Sequence, residues 1–154
     1  MARKLGFAQP DETVVHLLDE LLAQMHASRT DYTLLFRALG AVARDGNEGA
    51  PALRDRFVDR ERFNRWLDGY RAHLRASARD EAARRPAMLA TNPKYVLRNY
   101  LAQVAIEKAE HGDYAEIERL LTVLRAPFEE HPQLAHYAEP PPEWADNIQV
   151  SCSS

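Results

Sequence analysis

Apolar residues recur at intervals of three and four along most of this chain, and no stretch of convincing length alternates in the two-residue rhythm of a strand. The pattern predicts an all-α protein. It is clearest over residues 92–124, which read as two antiparallel helices. Asn92 has the chemistry of an N-cap, and Pro93 follows at the first helical position, where a missing N–H costs nothing. Val96, Leu97, Tyr100, Leu101 and Val104 then mark one apolar stripe. Gly112 stands where a left-handed C-cap is expected, and Asp113 with Glu116 has the spacing of a capping box. Ile117, Leu120, Leu121 and Leu124 give the second helix its buried face, and Pro127 ends it.

Upstream, Lys4 to Phe7 read as the end of a preceding helix, and Pro10 and Asp11 restart the chain. Val14, Val15, Leu18, Leu21, Leu22 and Met25 form the stripe of an amphipathic helix. Asp31 caps a short helix carrying Leu34, Leu35 and Leu39, with Tyr32 and Phe36 as its aromatics. Residues 45–49 are a loop rich in turn formers, Pro51 opens another short helix, and Phe57 anchors it. Asp59 caps a longer helix with Phe63, Trp66, Leu67, Tyr70 and Leu74 at helical spacing. Such an aromatic row could stack on bases or nucleotides, but its period is that of a stripe facing a core, and core is the expectation. Residues 76–85 are polar and helix-prone, and Pro86 is expected to interrupt them. Beyond Pro127 the prolines at 132 and 140–142 predict an extended tail over the surface, pinned where Trp144 buries its ring. The organisation expected is therefore an irregular helical array with a long helical hairpin over 1–125, then a tail over 126–154.

Composition places these helices in a soluble globular protein. Of 154 residues, 45% are hydrophobic and 28% charged, and no apolar run approaches the ~20 residues of a membrane span. The start of the chain has no apolar secretory segment, and one cysteine fits a reducing compartment, so the cytoplasm is expected. Charge is uneven. Residues 54–85 hold ten arginines against six carboxylates, whereas 107–154 hold ten acidic residues against three basic ones. Glu61–Arg65 and Asp68–Arg71 fall at ion-pair spacing, so the arginine segment reads as a solvated, self-paired face. The alternatives are a docking surface for an acidic partner, the acidic end of this chain included, or a nucleic-acid site, which is not the expectation.

Candidate chemistry is sparse. His16 and His26 lie too far apart to share a metal. His131 and His136 near Glu129 and Glu130 lack a regular element to fix a coordination geometry, so no metal site is expected. The six glycines are scattered and none precedes a Lys-Ser/Thr pair, and nothing groups Ser, His and Asp. No catalytic or cofactor-binding residue is assigned. Arg98 and Asn99, polar residues among apolar ones, are expected to hydrogen-bond and fix the hairpin.

The residues themselves carry a resemblance. NPKYVLRNYLAQ at 92–103, GDY at 112–114, RLL at 119–121, LRAPFEE at 124–130, PPEWA at 141–145 and SCSS at 151–154 resemble the C-terminal end of the selenoprotein O family. KLGF at 4–7, DYTLLFRALG at 31–40 and APALRDRF at 50–57 extend the likeness over essentially the whole chain. The resemblance implies the C-terminal part of a protein-kinase-like fold in an enzyme that transfers AMP from ATP to protein hydroxyls. It also implies that the Gly-rich loop, the ATP-positioning Lys and Glu, the phosphate-binding arginines and the metal-binding Asn and Asp precede the matched region. None of those motifs is in this chain, so ATP and Mg belong to the complete protein. This chain's implied partner is the missing kinase-like core or an equivalent surface, and the complete protein's partners are its protein substrates. Alone, the chain is expected to be inactive. The resemblance further implies that Cys152 pairs with a cysteine near the kinase-like active site as a redox switch. With no second cysteine the switch cannot close internally, and an inert exposed thiol stays the alternative. For the chain as a whole, the alternative is a free-standing helical interaction module.

Overall fold

The computed structural model describes residues 1–77 and 80–147. Among these residues the protein is all-helical with no strand. It resolves into two compact units, Met1–Asn92 and Pro93–Ser154. The first carries α1 (Glu12–Ser28), α2 (Tyr32–Leu39), α3 (Ala50–Arg54), α4 (Arg60–Ala76) and α5 (Glu81–Leu89). The second carries α6 (Asn99–Glu110) and α7 (Ala115–Arg125). Short 3-10 turns occupy Ala2–Leu5, where the end of a longer helix was expected, and Pro132–Ala138 and Glu143–Asn147.

In the first unit, aspartates start the helices as local chemistry dictates. The carboxylates of Asp11, Asp31 and Asp59 each accept a free first-turn N–H, from Val14, Leu34 and Arg62, at 2.8 Å. α1 packs on α4. The buried stripe of α1 runs Val14, Leu17, Leu21 and Met25, so Val15, expected inside, is half exposed. The aromatic row of α4 is core, as its period predicts. Phe57 stacks on Phe63 at 4.3 Å, Phe63 on Trp66 at 5.6 Å and Trp66 on Tyr70 at 5.2 Å, all of them nearly solvent-free. The polar ends of two of these rings are satisfied inside. Trp66 Nε1 donates to the Leu17 carbonyl and the Tyr70 hydroxyl donates to the Leu5 carbonyl, each at 2.8 Å.

Two expectations fail here for identifiable reasons. Pro86 does not interrupt α5 but lies inside it. Its ring removes one helical N–H, yet burial of Arg84 and Met88 on the same face holds the turn, and Ala90 N–H still reaches the Pro86 carbonyl at 2.9 Å. Among the described residues neither Glu61–Arg65 nor Asp68–Arg71 forms an ion pair. Arg71 turns inward instead and donates from Nε to the Ala43 carbonyl at 3.1 Å.

The loop before α3 depends on Gly49. Its φ is +74°, and a Cβ there would fall 2.8 Å from the Ala41 carbonyl oxygen, which is backbone and cannot swing away. Gly49→Ala should therefore destabilise the first unit by about 1–3 kcal/mol, read as a lowered unfolding midpoint in urea.

The second unit begins differently from its sequence reading. Asn92 is not the cap of a helix. It is 1% exposed and belongs to the first unit, where Nδ2 donates to the Lys4 carbonyl at 3.0 Å and Oδ1 accepts from Lys4 Nζ at 3.3 Å. Its carbonyl accepts from Arg37 Nη1 at 3.0 Å. The helix starts only at Asn99, because the N–H groups of Lys94 and Tyr95 go to the Pro127 carbonyl, at 2.7 and 3.2 Å, and Tyr95 is buried. Leu97 is consequently exposed, and Leu101 and Ala105 form the inner face of α6. α6 ends as predicted: Gly112 adopts φ +82°, and Gly112 and Asp113 N–H groups return to the carbonyls of Ala109 and Lys108 at 2.9 and 3.0 Å.

α6 and α7 pack on each other. Leu120 and Val123 are the buried apolar positions of α7, whereas Leu121 is 42% exposed. Tyr137 and Ala138 are buried with them. Trp144 does not bury its ring. It is 60% exposed and sets one edge against Tyr100, with the rings 5.9 Å apart.

Candidate functional site

Among the described residues, each unit holds one buried charged side chain. In the first it is Arg84, on α5 and 2% exposed. Its guanidinium forms a fork on Glu81, Nε to Oε2 at 2.7 Å and Nη2 to Oε1 at 2.6 Å. Nη2 also donates to the Val42 carbonyl at 2.6 Å, and Nη1 reaches the Tyr70 hydroxyl at 3.3 Å and Met88 Sδ at 3.0 Å. Burial works against the cation, but Glu81 and Tyr70 more than offset it and hold Arg84 above the ordinary arginine value. The Arg84 hydrogen bonds in turn hold the Glu81 carboxyl below its usual range, and burial pushes the Tyr70 hydroxyl far up. These bonds tie α5 to Tyr70 on α4 and to the Val42 carbonyl in the loop after α2, so the cluster joins three parts of the first unit.

In the second unit the centre is Glu116, 7% exposed. Expected to reach back as half of a capping box, it faces inward. Asp113 alone caps α7, accepting from Ala115 N–H at 3.0 Å. Glu116 Oε2 accepts from Lys108 Nζ at 2.7 Å and Arg119 Nη1 at 3.3 Å, and Oε1 accepts the Tyr137 hydroxyl. Burial raises the carboxyl, but hydrogen bonds from Lys108 and Tyr137 outweigh it and leave Glu116 below the usual glutamate value. Tyr137, buried and bound to that carboxylate, is pushed up to about 12. A carboxylate with three donors clasps α6, α7 and the Pro132–Ala138 turn together.

Sequence reasoning placed Arg84 with the solvated arginines and Glu116 in a cap. The available signal was the position of Arg84 four residues before Met88 on one helical face, with Glu81 three before it. The histidines take structural places: His131 Nε2 lies 3.1 Å from the Ala126 carbonyl with its ring edge-on to Tyr95, and the His136 ring lies on Tyr137. Among the described residues no three His, Cys, Asp or Glu side chains gather as metal ligands. Arg98 and Asn99 stand at the start of α6. Cys152 lies outside the described residues.

No described helix is long and apolar enough to cross a membrane.

Comparison with known proteins assigns the chain a lineage. Residues 1–125 match a family model described as protein adenylyltransferase SelO. Along its full length the chain is 50% identical to proteins called protein nucleotidyltransferase YdiU in Burkholderia orbicola (strain MC0-3), Burkholderia thailandensis and Burkholderia multivorans. It spans 30% of the length of each of these relatives.

Proposed function

Because this chain belongs to the protein adenylyltransferase SelO family, we propose that it is the C-terminal helical region of an enzyme that moves AMP from ATP to protein hydroxyls. One observation carries the reading: half of the positions match YdiU over the whole chain, the chain spans 30% of that protein, and no nucleotide-binding motif falls within it. The helical units would buttress a kinase-like core that supplies the ATP and Mg site, and Cys152 would form a disulfide with a cysteine of that core. Closing it would release two protons and pass two electrons to a thiol oxidant such as oxidised glutathione. In this role the two buried charge clusters make rigid supports, with catalysis left to residues elsewhere.

The test uses calorimetry and intact mass. The purified chain with Mg–ATP should give neither binding heat nor an AMP-sized mass gain. Mixed with the remaining N-terminal part of a YdiU relative, it should restore AMP transfer that the N-terminal part alone performs poorly. Mass gain by the chain alone would place a nucleotide site inside these residues and overturn the reading.

A further inference from the structure

A pocket of about 330 Å³ opens in the first unit, lined by Asn47, Arg54, Asn64, Leu67, Asp68 and Arg71 with Ala50 and Pro51. Its walls are set by the fold. Gly49 pins the loop before α3 against Ala41, Ala43 N–H donates to the Glu48 carbonyl at 3.2 Å, and Leu67 forms a buried floor. Arg71 is oriented by its Nε bond to the Ala43 carbonyl. Two buried donors on these lining residues, Arg54 Nε and Arg71 Nη2, have no acceptor among the described residues. Arg54 Nη2 has only a 3.6 Å approach to Asp55, too long for a hydrogen bond. Buried guanidinium N–H groups left without acceptors are uncommon and call for a water or an ion.

We propose that this pocket binds a phosphate-class oxyanion between Arg54 and Arg71. A tetrahedral oxyanion carries enough acceptors to satisfy both guanidiniums and the amides of Asn47 and Asn64, and planar guanidinium forks suit it better than they suit a halide. An oxyanion seated between the two side chains, with Arg71 still held by Ala43, offers the orphaned N–H groups an acceptor. Asp68 opposes the anion at the rim and keeps the empty pocket from being strongly cationic. The inference stands apart from the proposed AMP transfer, since it uses none of that machinery.

The experiment follows the Arg Nε–H signals of the full ¹⁵N-labelled chain during titration with inorganic phosphate, with chloride balancing ionic strength. The signals of Arg54 and Arg71 should shift saturably. Arg54→Gln should weaken binding by about tenfold or more with the unfolding midpoint unchanged, and Asp68→Asn should tighten it several-fold by removing the opposing charge. The gain in D68N guards against a variant that merely misfolds. Shifts that rise without saturation, or that chloride reproduces equally, would overturn the proposal. An ADP arm separates the sources. Free phosphate as ligand predicts the same two signals and no change at Ala50 or Leu67, whereas added shifts there make the bound group the phosphate of a nucleotide.

Discussion

Arg84→Ala should lower the unfolding free energy of the first unit by about 3–5 kcal/mol, the largest single effect expected in this protein. The deletion removes the fork on Glu81 and leaves the Val42 carbonyl without its 2.6 Å donor in the interior. It also empties the volume between Tyr70 and Met88, where the side chain is 2% exposed. Urea denaturation followed by Trp66 fluorescence, in a Trp144→Phe background, reads the first unit directly. Arg84→Met separates the two causes: it refills the space without the donors and should recover part of the loss. Equal losses for both variants would assign the whole effect to unsatisfied polar groups, and a loss under about 1 kcal/mol in R84A would show that the buried cation is dispensable.

The second unit should be stable over a bounded pH range set by Glu116 and Tyr137. Glu116 titrates below its ordinary value when folded, so its contribution is complete above the unfolded glutamate pKa of about 4.3 and drains away as pH falls through the depressed one. Tyr137 has the opposite sign. Its contribution is full below the unfolded tyrosine pKa, about 10, and disappears as pH rises through about 12. Hydrogen exchange at the Leu120 and Val123 amides across pH, corrected for intrinsic rates, should show protection falling at both limits. Tyr137→Phe should cost about 1.5–3 kcal/mol near neutrality and abolish the alkaline limb, while Glu116→Gln should flatten the acid one. Unchanged limbs in both variants would move the titration to other groups.

These two clusters also mark the boundary of what the sequence discloses. Asp11, Asp31, Asp59 and Gly112 were legible because a cap is decided within three or four residues of the chain. The aromatic row of α4 was legible because its period alone separates a core stripe from a stacking platform. Arg84 and Glu116 were not, since their decisive partners lie far along the chain, Val42 for one and Tyr137 for the other. Asn92 and Pro93 made a convincing local helix start, yet the tertiary demand of the Lys4 carbonyl and the Pro127 carbonyl outweighed it. The same limit explains Pro86 and Leu121, where packing on one face decides what propensity leaves open. The pocket between Arg54 and Arg71 could not be read at all, because only the absence of the expected Asp68–Arg71 pair frees Arg71 to line it.

The bonds between Asn92 and Lys4 join residues 88 apart in sequence, at either end of the first unit. Closing so long a loop is entropically costly relative to the local helix contacts that precede it. The latch is therefore expected to close after the local helix contacts have formed. Thus Asn92→Ala should leave α1 against α4 intact and raise proteolytic nicking at both margins together, although only one of them has been altered.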